Sequence, residues 1–237
     1  MEKVLMIQPG AFGDIIICAP IAKWYADAGY DVYWPAREKF LHKMIEPLGY
    51  VHPILLDERV LHEDWLRSDV IKCLEIAGQY DYVLNLADRG PHPTAELPGE
   101  GFEKAKYRIA NVPFEEKYTF MWNRDHVKEN YVYDLYVNLP GHEKYAFVHN
   151  TSSDLKIVDL PNIDLPVVIC EDFNPDYNIY DWWKVIANAE EIYVTESSIW
   201  AFCDGILDDI TENRYIIDRD MRGCNTVSSH WRRLTSE

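Results

Sequence analysis

The sequence contains no apolar run of about 18 residues, the least that crosses a bilayer as a helix, so no membrane-spanning helix is expected. It has no cysteine framework either. Cys18, Cys73, Cys170, Cys203 and Cys224 are odd in number and scattered, with no Cys-x-x-Cys. They read as reduced thiols and predict a cytoplasmic protein. Met1-Glu2-Lys3 leads straight into an apolar strand without a small-residue cleavage site, which predicts no secretory signal. Positive charge is scarce: 23 Lys and Arg against 40 Asp and Glu leave a net charge of −17. Such a surface repels nucleic acid and anionic lipid, and the one short basic cluster, Arg232-Arg233, is too small to reverse that. An anionic ligand would have to be held locally, by helix N-termini, backbone N–H groups and a few selected bases.

Other absences narrow the chemistry. The eight histidines are dispersed, with no His-x-x-x-His, so no metal site is expected. His92 and His149 fall near predicted strand ends and read as structural. No Gly-x-Ser-x-Gly occurs, which argues against the nucleophile elbow of an α/β hydrolase. Tyrosine and tryptophan are abundant but not interleaved with bases, so nucleic acid is not an expected partner.

What is present is apolar content ample for packed cores: 48% of 237 residues are hydrophobic, enough for one large domain or two small ones. Short apolar runs at 4–7, 31–34, 54–56 and 82–86 read as strands. Helical spacing fills 15–28, 36–48 and 60–77 between them. Residues 87–101, rich in proline and glycine, form a long loop, and 103–112 reads as a short helix and strand. Helical spacing returns over 125–139. The alternation then restarts, with strands at 145–149, 167–170, 192–195 and 215–217. Helices are expected at 181–189, capped by Tyr180-Asp181, and at 199–204. Strands alternating with helices argue a parallel sheet covered on both faces. The expected organisation is an α/β unit over 1–124, a linker helix over 125–144 and a second α/β unit over 145–237.

The opening stretch "VLMIQPGAFGDIIICAPIAKWYADAG" sharpens this. A strand, a turn punctuated by Gly10 and Gly13, and a helix form a nucleotide-binding pattern. Yet it lacks the third glycine of a dinucleotide fingerprint and the Lys-Ser/Thr of a phosphate loop, and offers Asp14 instead.

Four segments in order resemble the heptosyltransferase-type family of sugar transferases. They are the opening stretch; "QYDYVLNLADR"; "YAFVHNTSSDLK", a strand followed by small hydroxyls and a lysine; and "WWKVIANAEEIYVTESSIWAFCDG", a helix, a strand and an acid-serine turn starting another helix. Their order and spacing carry the resemblance over most of the chain. It implies the GT-B architecture: two Rossmann-like α/β domains facing across a cleft. There are departures. The chain is shorter than a usual member, Glu196-Ser197-Ser198 stands where aspartate, serine and glycine are common, and Trp200 stands in place of a histidine.

The resemblance implies transfer of a sugar, with inversion and without a metal or other cofactor, from a nucleotide-diphosphate sugar to a glycan or glycolipid acceptor of lipopolysaccharide type. Asp14 would be the base that takes the acceptor's proton, with Gly10 and Gly13 leaving room for the sugar. Read from residue type alone, without the resemblance, Asp14 is in the first place a helix cap. Thr151, Ser152 and Lys156 match the hydroxyl and lysine positions that steady the diphosphate. Ser197 and Ser198 would offer helix-start N–H groups to it, and Glu196 would bind donor-sugar hydroxyls. The alternatives are a solvated lysine, simple N-capping serines and a helix-start acid. Glu171 and Asp172 are weaker candidates for a ribose, and Trp200 either stacks on a ligand or fills the core. Two other functions compete: a nucleotide-binding protein that keeps the fold without catalysis, and an assembly protein that binds no nucleotide. The sequence carries no signal of oligomeric state.

Overall fold

Four short strands build the first sheet of the computed structural model: β1 (Lys3–Ile7), β2 (Asp31–Ala36), β3 (His52–Leu55) and β4 (Tyr82–Asn85). All pairings are parallel, in the order β3-β2-β1-β4. Residues 1–56, 65–87, 100–151, 157–170, 176–217 and 229–234 are described. They divide into two compact units, Met1–Asn123 and a second that begins at Arg124.

Parallel neighbours need crossovers, and the first unit supplies helices for them. They are α1 (Phe12–Asp27), α2 (Glu38–Phe40) continuing through a π turn at Leu41–Ile45 and a 3-10 turn at Glu46–Leu48, and α3 (Trp65–Ile76). The start of the helix expected over 60–77 lies outside the described residues. β3 begins at His52, earlier than its apolar run suggests, and Leu56 follows it as a buried core residue. One core cluster joins Leu5, Ile7 and Leu56 to Val70 and Cys73 of α3. Every residue of α1 from Ile15 to Ala22 is buried, so these two turns of the helix are covered all round. It packs against both β2 and the 102–119 segment.

That segment departs from expectation. Residues 103–112 form no strand; α4 (Phe102–Ile109) is followed by a turn with Asn111 at φ 53°. Tertiary bonding to α1 accounts for it: Tyr107 Oη donates to the Ile17 carbonyl at 3.1 Å and Tyr25 Oη to the Ala110 carbonyl at 2.8 Å. The chain is thereby held against a helix rather than a sheet edge.

The second unit opens with α5 (His126–Tyr133), whose start is capped by Asp125 accepting from Val127 and Lys128 N–H at 3.1 Å. Then come β5 (Ala146–His149), β6 (Val167–Ile169), α6 (Trp183–Ala187), β7 (Glu191–Thr195), α7 (Ser198–Gly205), β8 (Arg214–Ile217) and β9 (Arg232–Leu234). The sheet is parallel throughout, in the order β6-β5-β7-β8-β9. α5 and the turn after it belong to this unit's packing. Lys184 Nζ donates to Asn130 Oδ1 at 2.7 Å, and Tyr136 meets Trp182 with ring centroids 4.7 Å apart. The helix expected at 181–189 starts earlier, as a 3-10 turn with Asn178 at the cap position and Asp181 completing the capping box. Asn178 Oδ1 accepts from Tyr180 N–H at 2.8 Å, and Asp181 Oδ2 accepts from Asn178 N–H at 2.7 Å. β9 was not expected. It carries the basic pair Arg232-Arg233, and as an edge strand it needs no apolar run of its own.

The four described cysteines are all buried. Burial pushes the Cys18 thiol up to about 12 although Lys106 pulls the other way, and pushes Cys73 up to about 12 as well. Cys203 is raised for the same reason. Because the thiolate is the reactive form, iodoacetamide at pH 8 should leave Cys18, Cys73 and Cys203 unmodified in the native chain and label all three in denaturant. Peptide mapping by mass spectrometry checks this; rapid native labelling at these positions would contradict the packing.

Candidate functional site

Open parallel sheets bind ligands outside the C-terminal ends of their strands, where the strand order reverses. In the first sheet the reversal falls between β1 and β4, and in the second between β5 and β7. The candidate residues that the structure describes gather at these two places, and each is taken within its own unit.

In the first unit, the chain leaves β1 through Gln8, Pro9, Gly10 and Ala11 before entering α1. The turn was expected to rest on glycines, yet the positive φ falls on Ala11, at 61°, while Gly13 is already helical. Backbone of that kind persists only where neighbours hold it. Here Gln8 Nε2 donates to the Gly10 carbonyl at 2.7 Å, and Trp34 Nε1 donates to the Gln8 carbonyl at 2.8 Å. Ala11 occupies the cap position with no side-chain cap bond, so Asp14 does not cap α1.

Asp14 instead forms an ion pair with a lysine. Lys106 Nζ lies 3.0 Å from Asp14 Oδ1; Lys106 is 0% exposed and the Asp14 side chain 21%. The same ammonium donates to the Leu86 carbonyl at 2.6 Å and to Gln8 Oε1 at 3.1 Å. A buried charge is tolerated where it is paired and hydrogen-bonded, and these three oxygens meet that need. One turn earlier on α4, Glu103 Oε1 pairs with Lys117 Nζ at 3.2 Å. Asp14 Oδ2 has no partner among the described residues. The arrangement is a carboxylate anchored by one oxygen, with the other available to a proton donor.

In the second unit, His149 ends β5 and Thr195 ends β7. Ser197 is the cap of α7: its Oγ accepts from Trp200 N–H at 3.3 Å and lies 3.0 Å from His149 Nδ1. Ser198 opens the helix, and Glu196, half-buried, joins strand to cap. Trp200 is 1% exposed, so its ring packs in the core and offers no face for stacking. Two buried polar atoms beside this turn, Thr195 Oγ1 and Trp200 Nε1, have no hydrogen-bond partner among the described residues. Thr151 follows β5 and bridges antiparallel to Ile157, where the chain folds back: Val158 N–H donates to the Asn150 carbonyl at 2.9 Å. The helix start can hold an anion through N–H groups that no helical carbonyl satisfies.

Ser152, Lys156, Glu171, Asp172 and His92 lie outside the described residues. Sequence reasoning missed Lys106, Gln8 and the His149–Ser197 contact. A lysine within an amphipathic segment carries no signal of burial, since most lysines are solvated. Among the described residues no group of three or more His, Cys, Asp or Glu side chains is placed to hold a metal ion, and no helix is long and apolar enough to cross a membrane.

The sequence matches no family model and no curated protein. Solved structures do resemble it. A glycosyl transferase family 9 structure from Veillonella parvula aligns with a TM-score of 0.67 at 9% identity, covering 99% of this chain and 86% of that one. The E. coli ADP-heptose lps heptosyltransferase II aligns at 0.57 and 9% identity, covering 99% and 90%. E. coli heptosyltransferase WaaC with ADP-2-deoxy-2-fluoro heptose aligns at 0.54 and 12% identity, covering 98% and 92%. The likeness drawn from four sequence segments is thus met at the level of fold: over nearly its whole length the chain is built like these family 9 and heptosyltransferase structures.

Proposed function

We propose that the chain is a glycosyltransferase that moves a sugar from a nucleotide-diphosphate sugar to a glycan or glycolipid acceptor, with inversion and without a metal. The observation that carries this reading is the Asp14 carboxylate at the β1/β4 reversal, held by one oxygen and open at the other. In the proposed step the acceptor oxygen attacks the anomeric carbon and its proton passes to Asp14. The bond from the anomeric carbon to the diphosphate oxygen breaks, and the nucleoside diphosphate leaves with the electron pair. Stabilising that leaving charge without a metal calls for fixed donors. The turn 196–198 at the start of α7 is suited to it, with Thr151, Ser152 and Lys156 as its partners in the reading and Glu196 on the donor sugar. The unpartnered Thr195 Oγ1 beside that turn supports a ligand there. The acceptor is taken to be lipopolysaccharide-like, by likeness to the heptosyltransferases.

Heptosyltransferase WaaC has been solved with ADP and with a fluorinated ADP-heptose, so ADP-heptose is the first donor to try. The test incubates the purified chain with a panel of nucleoside-diphosphate sugars and measures release of the nucleoside diphosphate, together with thermal shift. Release from at least one donor is expected. Binding without release would favour the non-catalytic nucleotide-binding protein, and no binding at all would remove the reading. With the responsive donor, Ser197→Ala should weaken binding by about 3- to 10-fold, the size of one lost hydrogen bond plus a loosened helix start. Isothermal titration measures it.

A further inference from the structure

We propose that Lys106 is the positioning residue for the Asp14 carboxylate: it holds Oδ1, so that Oδ2 alone meets the acceptor hydroxyl. This rests on Asp14 being the base of the proposed transfer. The ammonium gathers oxygens from three elements: Asp14 on α1, the Gln8 side chain after β1 and the Leu86 carbonyl after β4. Those are the two strands between which the sheet order reverses. Gln8 is itself fixed, because its amide nitrogen donates to Gly10 and its carbonyl accepts from Trp34. Lys106 therefore does not reach for water, as lysines near a surface do. It is a strut set between two strand ends.

A carboxylate on a short side chain at a partly exposed site otherwise turns between two equivalent oxygens and several rotamers. Anchoring one oxygen removes that freedom before substrate arrives. Displacement of a reacting group by about 1 Å costs on the order of 100-fold in rate. Two titratable neighbours among the described residues leave the pairing intact. Glu103, on the same helix as Lys106, is paired with Lys117, and the Cys18 thiol, pushed by burial up to about 12, is neutral at ordinary pH.

The experiment compares Lys106→Met with the wild-type chain, using whichever donor the wild type turns over. A fall in kcat of about 10- to 100-fold with donor KM changed less than about 2-fold is expected, in protein that retains its circular dichroism spectrum. Adding Lys106→Met to Asp14→Asn should cost no further activity, because no proton-accepting oxygen remains to be aimed. Unchanged kcat in the folded variant, or the same fractional loss in both backgrounds, would overturn the role. Should Lys106→Met fail to fold, Gln8→Leu decides. It removes the contact to Lys106 together with the bond to the Gly10 carbonyl, and should lower kcat about 5- to 100-fold at unchanged KM, the size of one to two hydrogen bonds; no change there also overturns the proposal. A wild-type chain that turns over no donor removes the transferase reading and this role with it, whereas an active wild type matched by its variants removes this role alone.

Discussion

Asp14→Asn is expected to lower kcat by about 100- to 10,000-fold, the usual contribution of a general base, while the chain stays folded. The choice of asparagine follows from the geometry. Lys106 needs an oxygen at 3.0 Å, and asparagine keeps one there. The other position changes from a proton acceptor to an N–H donor. Exchanging a charged acceptor for a neutral one costs on the order of 1 kcal/mol, a few degrees in melting temperature for a chain of this size. Asp14→Ala would instead take from Lys106 its carboxylate partner. Its stability loss should fall at the lower end of the about 3–5 kcal/mol seen when one partner of a buried ion pair is removed, because Asp14 is partly exposed. Measuring kcat and melting temperature for both variants separates the two roles of Asp14. Loss of activity in both, with a large loss of stability only in the alanine variant, is the expected pattern. An asparagine variant with full activity would take Asp14 out of the chemistry and leave it as the lysine's ion-pair partner.

Much of the fold was legible because buried parallel strands must be short, continuous apolar runs. Residues 4–7, 145–149 and 192–195 show this, and the structure places β1, β5 and β7 on them. Where an element does not depend on apolar content, legibility failed. β9 is an edge strand reading Arg-Arg-Leu, held by pairing to β8, with Arg232 Nη1 donating to Tyr215 Oη at 3.3 Å. The strand expected after α4 failed for the opposite reason. Ala110 and Val112 are apolar, but long-range bonds from Tyr25 and Tyr107 fix that stretch against α1, and local pattern does not encode them.

The site divides in the same way. Asp14 and Ser197 stand directly after strands at helix starts, a place that sequence order alone reveals. The strain at Ala11 does not show, since the glycines on either side look like the natural carriers of a positive φ. Lys106 does not show either. It reaches Asp14 only because α4 is laid across two strand ends by contacts distant in sequence. His149 read as a structural histidine. It is buried, at 2% exposure, and what the sequence withheld is that its partner is the serine capping α7.

Removing Arg37 should be among the most destabilising single changes in the first unit. Arg37 follows β2 and precedes α2, and its guanidinium grips Asp69 of α3 with Nε at 2.5 Å and Nη2 at 3.2 Å from the two carboxylate oxygens. Asp69 is 0% exposed, and its other cationic neighbour, Lys72, stands 3.8 Å away. Arg37→Met would keep the apolar stem and leave the buried carboxylate to the more distant Lys72. A buried charge robbed of its partner costs about 3–5 kcal/mol, which for a chain of this length is a fall of roughly 10 °C in melting temperature. Asp69→Leu added to Arg37→Met should restore most of that loss, because a buried ion pair replaced by apolar groups of similar volume is often neutral. Differential scanning calorimetry on the two variants decides it; a single variant within about 1 kcal/mol of wild type would show that the pair is not supporting the fold. The pair also bears on the site. It fixes the start of α2, and Phe40 of α2 packs edge-on against Phe12 at 5.1 Å, two residues before Asp14. In Arg37→Met, kcat should therefore fall along with stability, and in the double variant both should recover together.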